Sequence, residues 1–111
     1  MNFHSLYDQG FARVAAVTLP VHPARPDDNA REIIDAARQL DARGVAVAVF
    51  PELCVSGYSI DDLLLQDVLL DNVEKALASI VEASTDLLPL LVVGAPLRKD
   101  NALYNCAIAI H

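Results

Sequence analysis

Four apolar runs punctuate the chain, and two stretches of helical periodicity separate them. The runs are "FARVAAVTL" from Phe11, "VAVAVF" from Val45, "LLVVG" from Leu90 and "LYNCAIAI" from Leu103. The second lacks any apolar–polar alternation, which predicts a strand covered on both faces. Between the first two runs lies a proline-rich connection, "PVHPARPDD", and then Ile33, Ala37 and Leu40 at helical spacing. Asn29 with Glu32 three residues later fits a capping box, and Gly44 fits the position just past a helix end. Strand, helix and buried strand in that order predict a βαβ unit with parallel pairing and a right-handed crossover.

A second helical region follows Gly57. Ser59 with Asp62 fits another capping box, and Asp61 and Asp62 suit a helix N-terminus. Leu69, Val73, Leu77 and Ile80 share one face, while Asp67, Asp71, Glu74, Lys75 and Glu82 share the other. A break near Gln66 and Asp67 would divide this region into a short and a long helix. Pro89 ends it. "RKDNA" is a turn that should fold the fourth strand back antiparallel to the third. Residues 1–10 read as an irregular arm or a short helix.

Composition narrows the class. At 111 residues the chain has room for one domain at most. It is 54% hydrophobic, enough to form a core. Its net charge is −7, from 15 acids and 8 bases, and no basic cluster stands out, so a nucleic-acid partner is not expected. The longest apolar run, residues 87–97, holds Pro89, Gly94 and Pro96 and is shorter than the ~18 residues of a membrane helix. No signal peptide is visible. Cys54 and Cys106 form no CxxC pair, which fits a reducing cytoplasm. The sequence stops directly after an apolar strand, and four strands fall short of the usual ~5–6. Residues 1–111 are therefore expected to be the N-terminal part of one larger α/β domain, truncated after about four strands.

Glu52 is the leading candidate for chemistry. It follows the second strand, and functional groups of open α/β sheets gather at the carboxyl ends of parallel strands. Pro51 fixes its own φ and restricts Phe50, which would aim the carboxylate. A carboxylate leaving a buried strand loses hydration and becomes a better base. The alternative is a solvated acid at a strand end. Both cysteines read more simply as small buried hydrophobes, because nothing basic flanks them. His4, His22 and His111 have no metal-ligand spacing, and no metal site is expected. Asp67 and Asp71 read as a solvated helix face. The loop after the first strand has no glycine, and no GxxxxGK[ST] occurs, so nucleotide-binding motifs are absent.

"FPELCVSGYS" resembles the first catalytic motif of the carbon–nitrogen hydrolase (nitrilase-like) superfamily. "NAREI", "LLVVGAPL" and "LYNCAIAI" are similar to other segments of that family. "GYSIDDLLLQ" and "LYDQGFARVAA" resemble a narrower branch, the glutamine-hydrolysing domains of glutamine-dependent NAD synthetases. The resemblance implies an α-β-β-α sandwich, of which residues 1–111 would be part. It implies a Glu-Lys-Cys triad acting on glutamine, with Glu52 at the base position and Tyr58 at a position that shapes the glutamine pocket. Tyr58 reads equally well as packing for its own turn.

Neither Lys75, Lys99, Cys54 nor Cys106 matches the family's lysine and cysteine motifs, so an isolated 111-residue chain is expected to be inactive. The glutaminase part would need no cofactor. ATP and Mg2+ would serve a separate synthetase domain, and the whole would form a homo-oligomer. A stand-alone amidase or nitrilase, and a non-enzymatic α/β module, remain alternative readings.

Overall fold

The computed structural model describes residues 5–111. Residues 1–4, including His4 and the start of the expected arm, lie outside the described residues. Residues 6–10 form turns, held where the Tyr7 hydroxyl donates to the Gly44 carbonyl.

Among the described residues, four strands form one mixed sheet in the order β1-β2-β3-β4. They are β1 (Val14–Ala16), β2 (Val47–Val49), β3 (Leu90–Lys99) and β4 (Ala102–Ile110). β1 and β3 flank β2 in parallel, with Val14 opposite Val47 and Val49 opposite Val92. β3 and β4 form an antiparallel hairpin from Leu91↔Ile110 to Lys99↔Ala102. Asp100 and Asn101 both have positive φ (52° and 64°), as a tight two-residue hairpin turn of right-handed strands requires. The expected order and directions of the strands are all present.

Helix α1 (Pro26–Ala42) joins β1 to β2, and helix α2 (Asp67–Ser84) joins β2 to β3. Two crossovers of one hand that advance the same way across a sheet place both helices on one face. Ile33, Ala37, Val73 and Ile80 pack there against Ala48, Leu91, Val93 and Ile110. Among the described residues the opposite face is largely uncovered. Val14 is 66% exposed and Val49 47% exposed, so β2 is not covered on both sides as its unbroken apolar run predicts.

Both expected capping boxes are absent. Helix α1 starts one turn before Asn29, because Pro26 takes the first helical position, where its missing N–H costs nothing. Asn29 is instead wholly buried and bonded elsewhere. At the second site Asp61 adopts φ +44, which turns the chain into a 3-10 segment (Asp61–Leu65) without a side-chain cap. The long helix begins only at Asp67, so the expected break is real. Gly44 does end α1: at φ +72 it donates to the Asp41 carbonyl, while Val45 donates to Leu40.

Candidate active site

The β2 ladder closes where the Phe50 N–H donates to the Val92 carbonyl (2.8 Å). Pro51 has no N–H to continue it, and the chain leaves the sheet. It turns at once, with the Cys54 N–H donating to the Pro51 carbonyl (3.2 Å) and Leu53 at φ +52. A leucine in the left-handed region is uncommon and costs of order 1–2 kcal/mol, a cost that persists only where surroundings enforce it.

The surroundings here are tight. Residues 53–57 are all buried. The Val55 N–H donates to Gly94 (3.0 Å), Gly57 to Leu53 (2.8 Å) and Ala24 to Ser56 (2.8 Å). The turn passes directly over β3 at Gly94, where a side chain would collide with the backbone of residues 51–53. From the other side Asn29 holds the segment. Its amide donates to the Val55 carbonyl (2.9 Å) and the His22 carbonyl (2.8 Å), and its oxygen accepts from the His22 N–H (2.6 Å).

Glu52 thus rides on a locked turn, yet its own side chain is exposed. The loss of hydration expected from a buried strand does not occur, because the carboxylate emerges on the bare face of the sheet. It lies in an open groove of ≈ 370 Å³ lined by Val49, Val92, Gly94, Asn105 and Ala107 among others. Within that groove the Asn105 Nδ2 donates to Glu52 Oε1 at 2.6 Å. The carboxylate is therefore fixed on one side by a neutral donor and open on the other. This arrangement can accept a proton from a group delivered above the sheet.

The remaining candidates fall elsewhere. Tyr58 is 67% exposed and lies outside the groove. Cys54 is wholly buried beside the Gly94 carbonyl, and burial pushes its thiol above the ordinary cysteine range. Cys106 borders the groove but follows Asn105 on an extended strand, so the two side chains leave opposite faces. Neither Lys75 nor Lys99 lines the groove. Asp67 and Asp71 both pair with Arg98 and tie α2 to the end of β3. Among the described residues no three His, Cys, Asp or Glu side chains converge as a metal site, and no helix is long and apolar enough to cross a membrane.

The carbon-nitrogen hydrolase family matches residues 13–111, from the edge of β1 to the end of β4. The chain belongs to the carbon–nitrogen hydrolase family. In this family member the groove residues Val49, Glu52, Gly94 and Asn105 all fall within the matched span. The chain is 56% identical over all 111 residues to a glutamine-dependent NAD(+) synthetase of Mycobacterium tuberculosis, and covers 16% of that protein. It is 40% identical over 80 residues to the enzyme of the same name from Xanthomonas campestris, covering 72% of this chain and 14% of the relative.

Among solved structures, a glutamine-dependent NAD(+) synthetase from Cytophaga hutchinsonii superposes with a TM-score of 0.81 at 26% identity, covering 89% of this chain and 17% of the other. An amidase from Nesterenkonia sp. superposes at 0.62 with 25% identity, covering 77% and 32%. The chain thus spans about one sixth of the length of the NAD synthetases that it matches.

Asn105, Gly94 and Asn29 are the site-building residues that the sequence reading missed. Each carried a signal. Asn105 is a lone amide in an apolar strand, Gly94 is a glycine in a strand interior, where close backbone approach is common, and Asn29 follows a proline-rich loop, whose backbone groups an asparagine side chain can bond.

Proposed function

We propose that residues 1–111 are the N-terminal part of the glutaminase domain of a glutamine-dependent NAD synthetase. One observation carries this reading: an exposed carboxylate, on a buried and multiply bonded turn, at the carboxyl end of a central parallel strand. The identity to NAD synthetases across the whole chain supports it.

In this reading Glu52 is the general base. It takes the proton of a cysteine thiol supplied by the remainder of the polypeptide. The thiolate attacks the carboxamide carbon of glutamine, and a lysine from the same remainder holds the developing oxyanion. Glu52 returns the proton to the departing ammonia, leaving a thioester. It then activates water, which releases glutamate and restores the thiol. Tyr58, exposed just beyond the turn, forms one side of the glutamine pocket once the remaining residues complete it.

This hydrolysis needs no cofactor. ATP and Mg2+ belong to a second domain, where the ammonia amidates adenylated deamido-NAD to NAD. The other half of the sandwich, from the same polypeptide, covers the bare sheet face. The complete enzyme is a cytoplasmic homo-oligomer. A stand-alone amidase is the second reading. The closer superposition on an NAD synthetase than on an amidase, 0.81 against 0.62, favours the first.

In the full-length protein, Glu52→Gln should abolish ammonia release from glutamine while leaving NAD synthesis from free ammonia largely intact. Loss of both activities would make Glu52 structural, and glutamine hydrolysis undiminished by the substitution would remove it from the chemistry.

A further inference from the structure

An amide stands alone on the bare face of β4. Its neighbours on that face, Ala107 and Ala109, are apolar, and Pro96 lies opposite it on β3. A polar group so placed is costly beneath any covering layer unless it is bonded. Its bond is to Glu52, 53 residues away in sequence and 2.6 Å away in space.

We propose that Asn105 is a positioning residue for Glu52: its Nδ2–H holds Oε1 and leaves Oε2 as the proton-accepting atom. This rests on the reading of Glu52 as the base. An ionised carboxylate only accepts hydrogen bonds, so the NH2 group of the amide, not its oxygen, faces Glu52. The donor stands on a strand in full antiparallel register with β3, and β3 carries Gly94, over which the Glu52 turn folds. Both ends of the hydrogen bond are thereby referred to one rigid hairpin, which is how a reactive atom is kept in place to a fraction of an ångström. The bond is to a charged acceptor and neutral on the donor side. It orients the carboxylate without placing a positive charge beside it.

The test uses the full-length protein and three variants. Asn105→Leu keeps the branched shape of the side chain and removes the donor without setting a second carboxylate against Glu52. Its kcat for glutamine hydrolysis should fall roughly 10- to 100-fold, as misplacement of a catalytic group by about an ångström does. The KM for glutamine should stay within about twofold of the parent, and synthesis from free ammonia should be unchanged. Asn105→Gln, which retains a donor one methylene further out, should recover part of the lost kcat.

Parental kcat in Asn105→Leu, a change confined to KM, or no recovery by Asn105→Gln would each overturn the assignment. If Glu52→Gln itself hydrolyses glutamine at the parental rate, the base reading fails. If Glu52→Gln is inactive and Asn105→Leu is fully active, only the role of Asn105 fails.

Discussion

The backbone nitrogen of Leu53 crosses Gly94 so closely that a β-carbon on Gly94 would stand 2.4 Å from it, and 2.7 Å from the Pro51 carbonyl oxygen. Both obstacles are backbone atoms, so neither can swing aside. Gly94→Ala should lift the Glu52 turn off β3 and break the bond from Val55 to the Gly94 carbonyl. The expected cost is about 1–3 kcal/mol of stability, typical of overpacking. A loss of glutamine hydrolysis larger than that of ammonia-driven synthesis should accompany it. Urea denaturation and the two assays on full-length protein check this. An alanine variant with parental stability and activity would show that the turn yields freely.

Asn29 ties three strangers together: the connection after β1, helix α1 and the segment following Glu52. Asn29→Ala would leave the Val55 carbonyl and both backbone groups of His22 without their side-chain partner. Each buried group left unpaired costs about 1–3 kcal/mol. Asn29→Asp should be no better, since a carboxylate cannot donate to the two carbonyls. Chemical denaturation measures the loss, which should exceed that of an alanine substitution at exposed Asn72.

Burial raises the Cys54 thiol above its ordinary value of 9.0. The folded state therefore keeps a proton that the unfolded chain gives up on the alkaline side. The stabilisation is complete below the unfolded thiol's pKa and is lost as pH rises through the folded one, because unfolding then releases a proton. Stability should fall as pH climbs past about 9, and Cys54→Ala should remove that part of the slope. In native protein at neutral pH a thiol reagent should leave Cys54 unmodified until denaturant is added. Rapid labelling of Cys54 in the native state would contradict its burial.

The bare sheet face makes a prediction of its own. Val14 and Val49 are exposed on it beside Ala16, Ala107 and Ala109. Expressed by themselves, the 111 residues should self-associate, as exposed apolar surface does, and should show no glutaminase turnover. Light scattering and an ammonia assay test both points. Val49→Lys should reduce association of the isolated chain yet destabilise the full-length protein, where that face is proposed to be covered. A lysine variant that leaves both unchanged would argue that the face stays open.

Much of this fold is legible in the amino-acid pattern. The apolar runs beginning at Val45 and Leu90 are strands, the spacing of Ile33, Ala37 and Leu40 is a helix, and Gly44 closes it. These features depend on residues within a turn or two of one another, where backbone preference and side-chain period act directly. The capping boxes failed for a reason of the same kind: Pro26 and the positive φ of Asp61 decided the local chain path before Asn29 or Ser59 could cap it. Glu52 was legible as a candidate through its place after a strand and a proline.

Its surroundings were not. The sequence by itself determined the order of elements, their amphipathic faces and the carboxylate at the mouth of β2, since each is encoded in neighbouring residues. Only the tertiary structure decided that both helices share one face, that Glu52 emerges on the other, that Gly94 must lack a side chain and that Asn105 meets the carboxylate. Those outcomes depend on crossover hand and strand register, which bring together atoms far apart in sequence, and no local pattern encodes which distant atoms will touch.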